Sequence, residues 1–246
     1  MGLENNFTAK VKRIKENSGV VVAVLVDDRF TGQEIERHIK GGMGVAEIRI
    51  DMFKSHAPNH VKKEIEKFTA FPTLATIRKS IDGGLWNKPE VERIETFKST
   101  IPYVGAVDIE LSEPETLAAL KNVLRDNDCD LVASYHNFDQ TPDDKFLQTL
   151  IAQAKDVGAD AIKIACMVKN KDDSTRLAAL FDKDLDIPKI IIGMGALGMG
   201  TRITFPALGS LLTYSPSDKI PAAYGQISFS EMIKQLRDVY PTFAKR

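Results

Sequence analysis

A histidine and a lysine stand inside otherwise apolar, strand-like runs: His136 closes Asp130-Leu-Val-Ala-Ser-Tyr-His136, and Lys163 lies in Asp160-Ala-Ile-Lys-Ile-Ala165. A parallel strand covered on both faces reads as continuous Val, Ile and Ala. An ammonium there is unfavourable unless it has a partner or loses its proton. A desolvated lysine is a nucleophilic amine, able to form a Schiff base with a carbonyl. The imine makes the neighbouring C–H acidic, and a histidine with an ordinary pKa of about 6.5 suits removal of that proton and its delivery to a leaving hydroxyl. Imine plus adjacent base points to elimination or aldol chemistry. The alternative is a lysine whose stem lies along the apolar wall while its head reaches water.

Other strands carry charge in the same way. In Glu47-Ile-Arg-Ile-Asp51 the acidic and basic residues share one face and the isoleucines the other, because side chains alternate along a strand. The isoleucines belong against helices, so Glu47 and Arg49 point inward. By the same parity Arg78, Asp108, Glu110, Ser134, His136 and Lys163 point inward. Buried ion pairs that serve only the fold are weak stabilisers, since desolvation offsets most of the Coulomb gain. This accumulation of inward charge on consecutive strands therefore reads as a site.

The elements that must position these groups recur regularly. Strand-like runs cover Val20 to Val26, Ala46 to Asp51, Thr73 to Arg78, Val107 to Leu111, Leu131 to His136, Ala161 to Cys166, Lys189 to Gly193, and Leu211 to Tyr214. Helical stretches separate most of them. Asn59 is a candidate cap for a helix through Phe68, and Ser112-Glu-Pro-Glu115 reads as a capping box. Thr141-Pro-Asp-Asp144 repeats the start signal, with Gly158 as a stop. Eight strand–helix repeats in 246 residues predict a single-domain α/β protein, a (β/α)8 TIM barrel spanning residues 1–246. The unit after the seventh strand leaves room only for a short helix interrupted by Pro206. The polar segment 1–19 is expected to cover the bottom of the barrel. Barrel enzymes place catalysis at the C-terminal strand ends, where Arg78 and His136 fall.

Lys and Arg total 33 against 34 Asp and Glu, a net charge of −1, so there is no electrostatic footprint for nucleic acid or an acidic membrane surface. The two cysteines, Cys129 and Cys166, have no metal-ligand spacing and fit buried thiols in a reducing cytoplasm. Basic residues before Val20 resemble the start of a leader. The apolar run that follows is short and ends in Asp27-Asp28-Arg29, so a strand is expected. No stretch approaches the ~20 apolar residues of a membrane span.

Several motifs read as decoys. Gly193-Met-Gly-Ala-Leu-Gly198 matches a dinucleotide fingerprint but follows the seventh strand. Loops after strands seven and eight of a barrel more often hold anions, and Arg202 lies just beyond. His56 and His60 have helical metal-ligand spacing, but Pro58 argues for solvated loop histidines and no metal. His38 is expected on a polar helix face, Trp86 in a mobile loop, and Met194 and Met199 packed under the glycine loop.

Together, Glu47-Ile-Arg-Ile-Asp51, Pro72-Thr-Leu-Ala-Thr-Ile-Arg78, Val107-Asp-Ile-Glu-Leu111, Ser134-Tyr-His136, Ile162-Lys-Ile-Ala165, Met194-Gly-Ala-Leu-Gly198 with Arg202, Gly209-Ser-Leu-Leu-Thr-Tyr214 and Gly225-Gln226 resemble the type I 3-dehydroquinate dehydratases over nearly the whole chain. The resemblance implies a cytoplasmic, cofactor-free homodimer of the shikimate pathway acting on 3-dehydroquinate. It implies Lys163 as the Schiff-base lysine and His136 as the proton carrier. Glu47, Arg49 and Arg78 match positions that hold ring hydroxyls, with Arg202 and Gln226 at the carboxylate and lid. Asp51, Asp108, Glu110 and Ser134 would support them. Asp82, one methylene shorter, stands where the family usually has a glutamate that orients the histidine, and it is expected to serve as that catalytic residue if its loop moves inward. Ala222 replaces a lid serine, Tyr224 a proline and Ala23 a first-strand serine. Competing readings are a class I aldolase and a non-catalytic barrel that binds the metabolite.

Overall fold

A computed structural model describes residues 6–68, 71–182, 187–220 and 225–243. A first helix, α1 (Phe7–Ser18), is followed by β1 (Val22–Val26), α2 (Gly32–Gly41), β2 (Met43–Arg49), α3 (Pro58–Glu66), β3 (Thr73–Thr76), α4 (Glu90–Thr100), β4 (Ala106–Glu110) and α5 (Pro114–Asp126). The chain continues through β5 (Asp130–Asn137), α6 (Asp144–Asp156), β6 (Ala161–Met167), α7 (Lys171–Ala178), β7 (Lys189–Met194), α8 (Thr201–Leu208), β8 (Thr213–Pro216) and α9 (Phe229–Val239). The strands lie in the order β7-β6-β5-β4-β3-β2-β1-β8, with all seven pairings parallel. Between β7 and β8 the Leu211 N–H donates to the Lys189 carbonyl at 2.8 Å and the Ile191 N–H to Ser210 Oγ at 3.2 Å. The chain is a (β/α)8 barrel.

Strand parity builds two kinds of packing. Outward residues such as Val22, Val24, Ile48, Ile50, Ile77 and Ile109 are buried in one apolar cluster with helix residues Phe97 and Leu120. Inward residues near the strand starts, among them Val21, Ala23, Val45, Leu74, Ala106, Val132 and Ala161, cluster with Phe7 and Val11 of α1. The α1 backbone is tied to the β5 start, where the Thr8 N–H donates to Asp130 Oδ2 at 2.7 Å. Higher along β2, β4 and β5 the inward side chains turn polar: Val45 gives way to Glu47 and Arg49, Ala106 to Asp108 and Glu110, Val132 to Ser134 and His136. An apolar floor thus excludes water beneath a charged upper interior, where electrostatic contacts gain strength from the low dielectric.

Prolines set two helix starts differently from the capping readings. Pro58 is the first residue of α3, so Ala57 rather than Asn59 is the boundary. Pro114 opens α5 behind Glu113, with no side-chain cap, so the Ser112 capping box does not form. Pro supplies the helical φ, and at the first helical position its missing N–H would have had no partner within the helix. Asp143 does cap α6, accepting from the Phe146 N–H at 2.8 Å. Pro206 lies inside the short α8.

Three aromatic residues lie deeper than expected. His38 is 1% exposed, held between Phe30 and Phe229 at centroid separations of 5.1 and 4.7 Å. Its Nδ1 lies 2.7 Å from the Glu34 carbonyl, so it joins the core rather than a polar face. Trp86 is buried against His56, in a segment pinned by its N–H to the Arg78 carbonyl at 3.0 Å. His60 belongs to α3 and pairs with Asp28 at 3.1 Å. Met199 is partly exposed, while Met194 packs on the interior cluster.

The turn that follows Arg78 requires a glycine. A Cβ on Gly84 would lie 2.1 Å from the Arg78 carbonyl oxygen, so Gly84→Ala must push this turn off the strand end. A stability loss of about 1–3 kcal/mol is expected, read from the urea-unfolding midpoint.

Candidate active site

The strand ends converge on one charge network. Lys163 Nζ donates to Asp108 Oδ2 at 2.9 Å and to Glu47 Oε1 at 3.3 Å. It also lies 4.3 Å above the Tyr214 ring centroid. The buried lysine therefore meets the partner its position demands, and its head does not reach water. Asp108, wholly buried, accepts further from Arg78 and Ser134 Oγ, both at 2.6 Å. Arg78 also bonds Glu110 and, at 3.0 Å, Ser134 Oγ. Thr76 Oγ1 donates to Glu47 at 3.0 Å. Burial alone would raise the Asp108 carboxyl, but Arg78 and Lys163 hold it well below the usual carboxylate range.

His136 stands on the same face of the neighbouring strand. Ser134 registers with Lys163 and His136 with Ala165, which places the imidazole one side-chain repeat above the ammonium, toward the barrel mouth. Removal from water, followed by the charges of Arg78 and Lys163, keeps its pKa well below that of a free imidazole. The ring is thus neutral and able to accept a proton near pH 7. Its Nδ1 has no hydrogen-bond partner among the described residues. The ring stacks with Phe138 at 6.2 Å and 15°, and Phe138 lies against Gly83, where a Cβ would come within 2.7 Å of its ring.

Asp82 does not supply the missing bond. It lies in the 3-10 turn Ser80–Asp82, and its buried Oδ2 has no partner among the described residues. Burial, then nearby Glu110, raises its pKa. The imidazole is held by ring stacking, whereas the shorter aspartate stays in its own turn.

Arg49 and Asp51 form a two-pronged clamp, at 2.9 and 2.7 Å. Asp51 Oδ2 also accepts from the Leu85 N–H at 3.0 Å, joining the β2 end to the turn beyond β3. Residues Ile50–Met52 form a 3-10 turn rather than continuing the strand, so Asp51 closes the strand instead of extending it.

On the other side of Tyr214, Arg202 is 6% exposed. It donates to the Tyr214 carbonyl at 3.0 Å, and its Nε has no partner among the described residues. Burial draws its pKa down to about 10. No carboxylate pairs with it among the described residues, so it can receive an anion. Gln226 follows Gly225, whose positive φ of 80° lets the chain pass Gly195 so closely that a Cβ would meet the Gly195 carbonyl carbon at 2.5 Å. Ser215 Oγ donates to the Ile227 carbonyl at 2.9 Å. These contacts bring the Gln226 segment to the glycine loop and β8. The glycines of 193–198 serve close chain approach: a Cβ on Gly198 would lie 2.5 Å from Met194 O. Ala222 and Tyr224 lie outside the described residues.

Sequence reasoning missed three participants. Arg93, wholly buried on α4, bonds Glu110. Its signal was the buried spacing Arg93, Phe97, Thr100 along that helix. Phe138 and the Tyr214 ring are the others, and a strand-end aromatic beside an inward charge was the available signal.

The model of the type I 3-dehydroquinase family matches residues 20–241. A 3-dehydroquinate dehydratase from Thermodesulfovibrio yellowstonii is 34% identical over 215 residues, covering 86% of this chain and 92% of the relative. The crystal structure of the 3-dehydroquinate dehydratase from Aquifex aeolicus superposes with a TM-score of 0.79 at 29% identity, covering 90% of this chain and 99% of that one. That of the Geobacillus kaustophilus 3-dehydroquinate dehydratase gives 0.80 at 27%, covering 89% and 91%.

Asp108 is the shared anion of this network, so Asp108→Asn leaves Arg78 and Lys163 short of compensation in a dry interior. The expected loss is about 3–5 kcal/mol of unfolding free energy near pH 7, measured by urea denaturation. Because the folded-state pKa is depressed, the wild-type contribution is present above the ordinary aspartate range and is lost as pH falls through the folded value. The gap between wild type and variant should therefore narrow in strong acid.

Proposed function

The chain belongs to the type I 3-dehydroquinase family, and on that premise we propose that it eliminates water from 3-dehydroquinate, giving 3-dehydroshikimate through a Schiff base on Lys163. The observation that carries this reading is a buried lysine between two carboxylates, with a neutral histidine above it on the next strand. Arg202, which donates to the Tyr214 carbonyl but faces no carboxylate among the described residues, supplies the counter-charge for a substrate carboxylate.

The chemistry follows from those positions. The Lys163 ammonium gives up a proton, its nitrogen attacks the C3 carbonyl, and that proton together with a second from the nitrogen leaves with the carbonyl oxygen as water, giving an iminium. The cation on nitrogen then draws electrons from the adjacent C2–H bond. His136 takes the C2 proton as the enamine forms, and the imidazolium delivers a proton to the C1 hydroxyl as it departs as water. The electron pair returns to regenerate an iminium, now conjugated with the new double bond. Hydrolysis releases the enone and restores Lys163. Glu47 and Asp108, which face the nitrogen before attack, stabilise its positive charge in the iminium.

Arg202 and Gln226 are assigned to the carboxylate, and Glu47, Arg49 and Arg78 to the ring hydroxyls. The carboxylates already hold two of these cations in fixed directions: Asp51 fixes Arg49, and Asp108 with Glu110 fixes Arg78. Their alignment is therefore in place before substrate arrives. A cytoplasmic location is supported by two free, buried cysteines, whose thiols burial pushes well above their usual range. A homodimer is the expectation carried by the family resemblance. Among the described residues no helix is long and apolar enough to cross a membrane.

Formation of the conjugated product is followed directly by ultraviolet absorbance. Lys163→Ala should abolish nearly all turnover, and His136→Ala should lower kcat by about 100- to 10,000-fold. Retained turnover in Lys163→Ala would refute the covalent route. Since His136 must be neutral to accept the proton and its pKa is depressed, the acid limb of kcat/KM should lie below the ordinary histidine value of about 6.5. A limb above that value would contradict the assignment.

A further inference from the structure

Arg93 has no place in the chemistry just described, yet its guanidinium is fully enclosed and shared among three partners. Nε donates to the Ile77 carbonyl at 2.8 Å, one terminal nitrogen to Glu90 Oε1 at 3.0 Å, and the other to Glu110 Oε2. The two inward-directed bonds converge on Arg78 by separate routes. Ile77 is the residue before Arg78 and lies past the end of β3, where the strand ladder no longer fixes the backbone. Glu110 holds the Arg78 side chain with its other oxygen. Arg93 is anchored from outside, because Glu90 also accepts from Thr116 Oγ1 at 2.6 Å and pairs with Lys79 at 3.6 Å.

We propose that Arg93 is a positioning residue for Arg78, gripping both the backbone beside it and the carboxylate that aims its guanidinium into the barrel. This rests on the substrate-binding role assigned to Arg78 above. One carboxylate divided between two guanidiniums pulls on each from opposite sides. Without Arg93, Glu110 would turn wholly to Arg78 and draw it away from Asp108. Asp108 would then hold the Lys163 ammonium more tightly. Lysine cannot reproduce this arrangement, since a single ammonium lacks the planar fork that reaches three acceptors at once.

A double-mutant cycle separates this role from simple anchoring of α4. In the full-length protein, Arg93→Met should lower kcat/KM for 3-dehydroquinate by about tenfold or more. Arg78→Lys alone should also lower it, and the double variant should be no worse than Arg78→Lys, because the effect of Arg93 passes through Arg78. Arg93→Lys should fall between wild type and Arg93→Met. If Arg93→Met does not fold, Arg93→Lys takes its place in the cycle with the same expectation. Losses that multiply in the double variant, from a wild type that turns over the substrate, would overturn the positioning role alone. A wild type that does not turn over 3-dehydroquinate would overturn the dehydration reading beneath it.

Discussion

A carboxylate removed from water must be matched by cations and hydrogen bonds, and in this barrel that requirement centres on Asp108. Arg78, Lys163 and Ser134 all turn toward it, and their directions follow from its position on β4. Glu110, two residues on, repeats the arrangement with Arg78 and Arg93. The outcome is a set of side chains whose geometry is determined before any ligand enters. Such networks add little to stability relative to an apolar core. Their value in the proposed reaction is preorganisation: charge that develops on the lysine nitrogen would find carboxylates already oriented toward it.

The rest of the fold maintains the dry setting in which those charges act. Phe7 and Val11 of α1 cluster with the lowest inward residues, so water is excluded from below. At the upper end, close backbone contacts at Gly84, Gly198 and Gly225 draw the loops inward where a side chain would hold them apart. Tyr214 links two parts of the site, its ring beneath Lys163 and its carbonyl on Arg202. A ketone at the lysine and a carboxylate at the arginine can therefore belong to one small molecule.

The barrel and much of its interior were legible because strand parity is a local rule. Ile48 and Ile50 had to face helices, which sent Glu47 and Arg49 inward without any knowledge of neighbouring strands. What parity cannot supply is the partner. The link from Arg93 to Glu110 depends on how α4 packs over the strands: the spacing with Phe97 and Thr100 puts Arg93 on the packed face but does not name its partner. His38 reads as polar until Phe30 and Phe229 close over it. The Asp82 expectation came from family resemblance, and the turn holding that residue leaves its carboxylate away from the imidazole. Proline position outweighed side-chain capping at α3 and α5, because a fixed φ at the first helical residue is sufficient to start a helix.

Covalent joining of the substrate carbon to the nitrogen held by Asp108 and Glu47 is open to direct test. Incubating the protein with 3-dehydroquinate and sodium borohydride, beside a borohydride-only control, tests it by intact mass and peptide mapping. An irreversible mass gain confined to the peptide containing Lys163 is expected. A folded protein that turns over the substrate without acquiring that adduct, or that acquires it on another lysine, would contradict it.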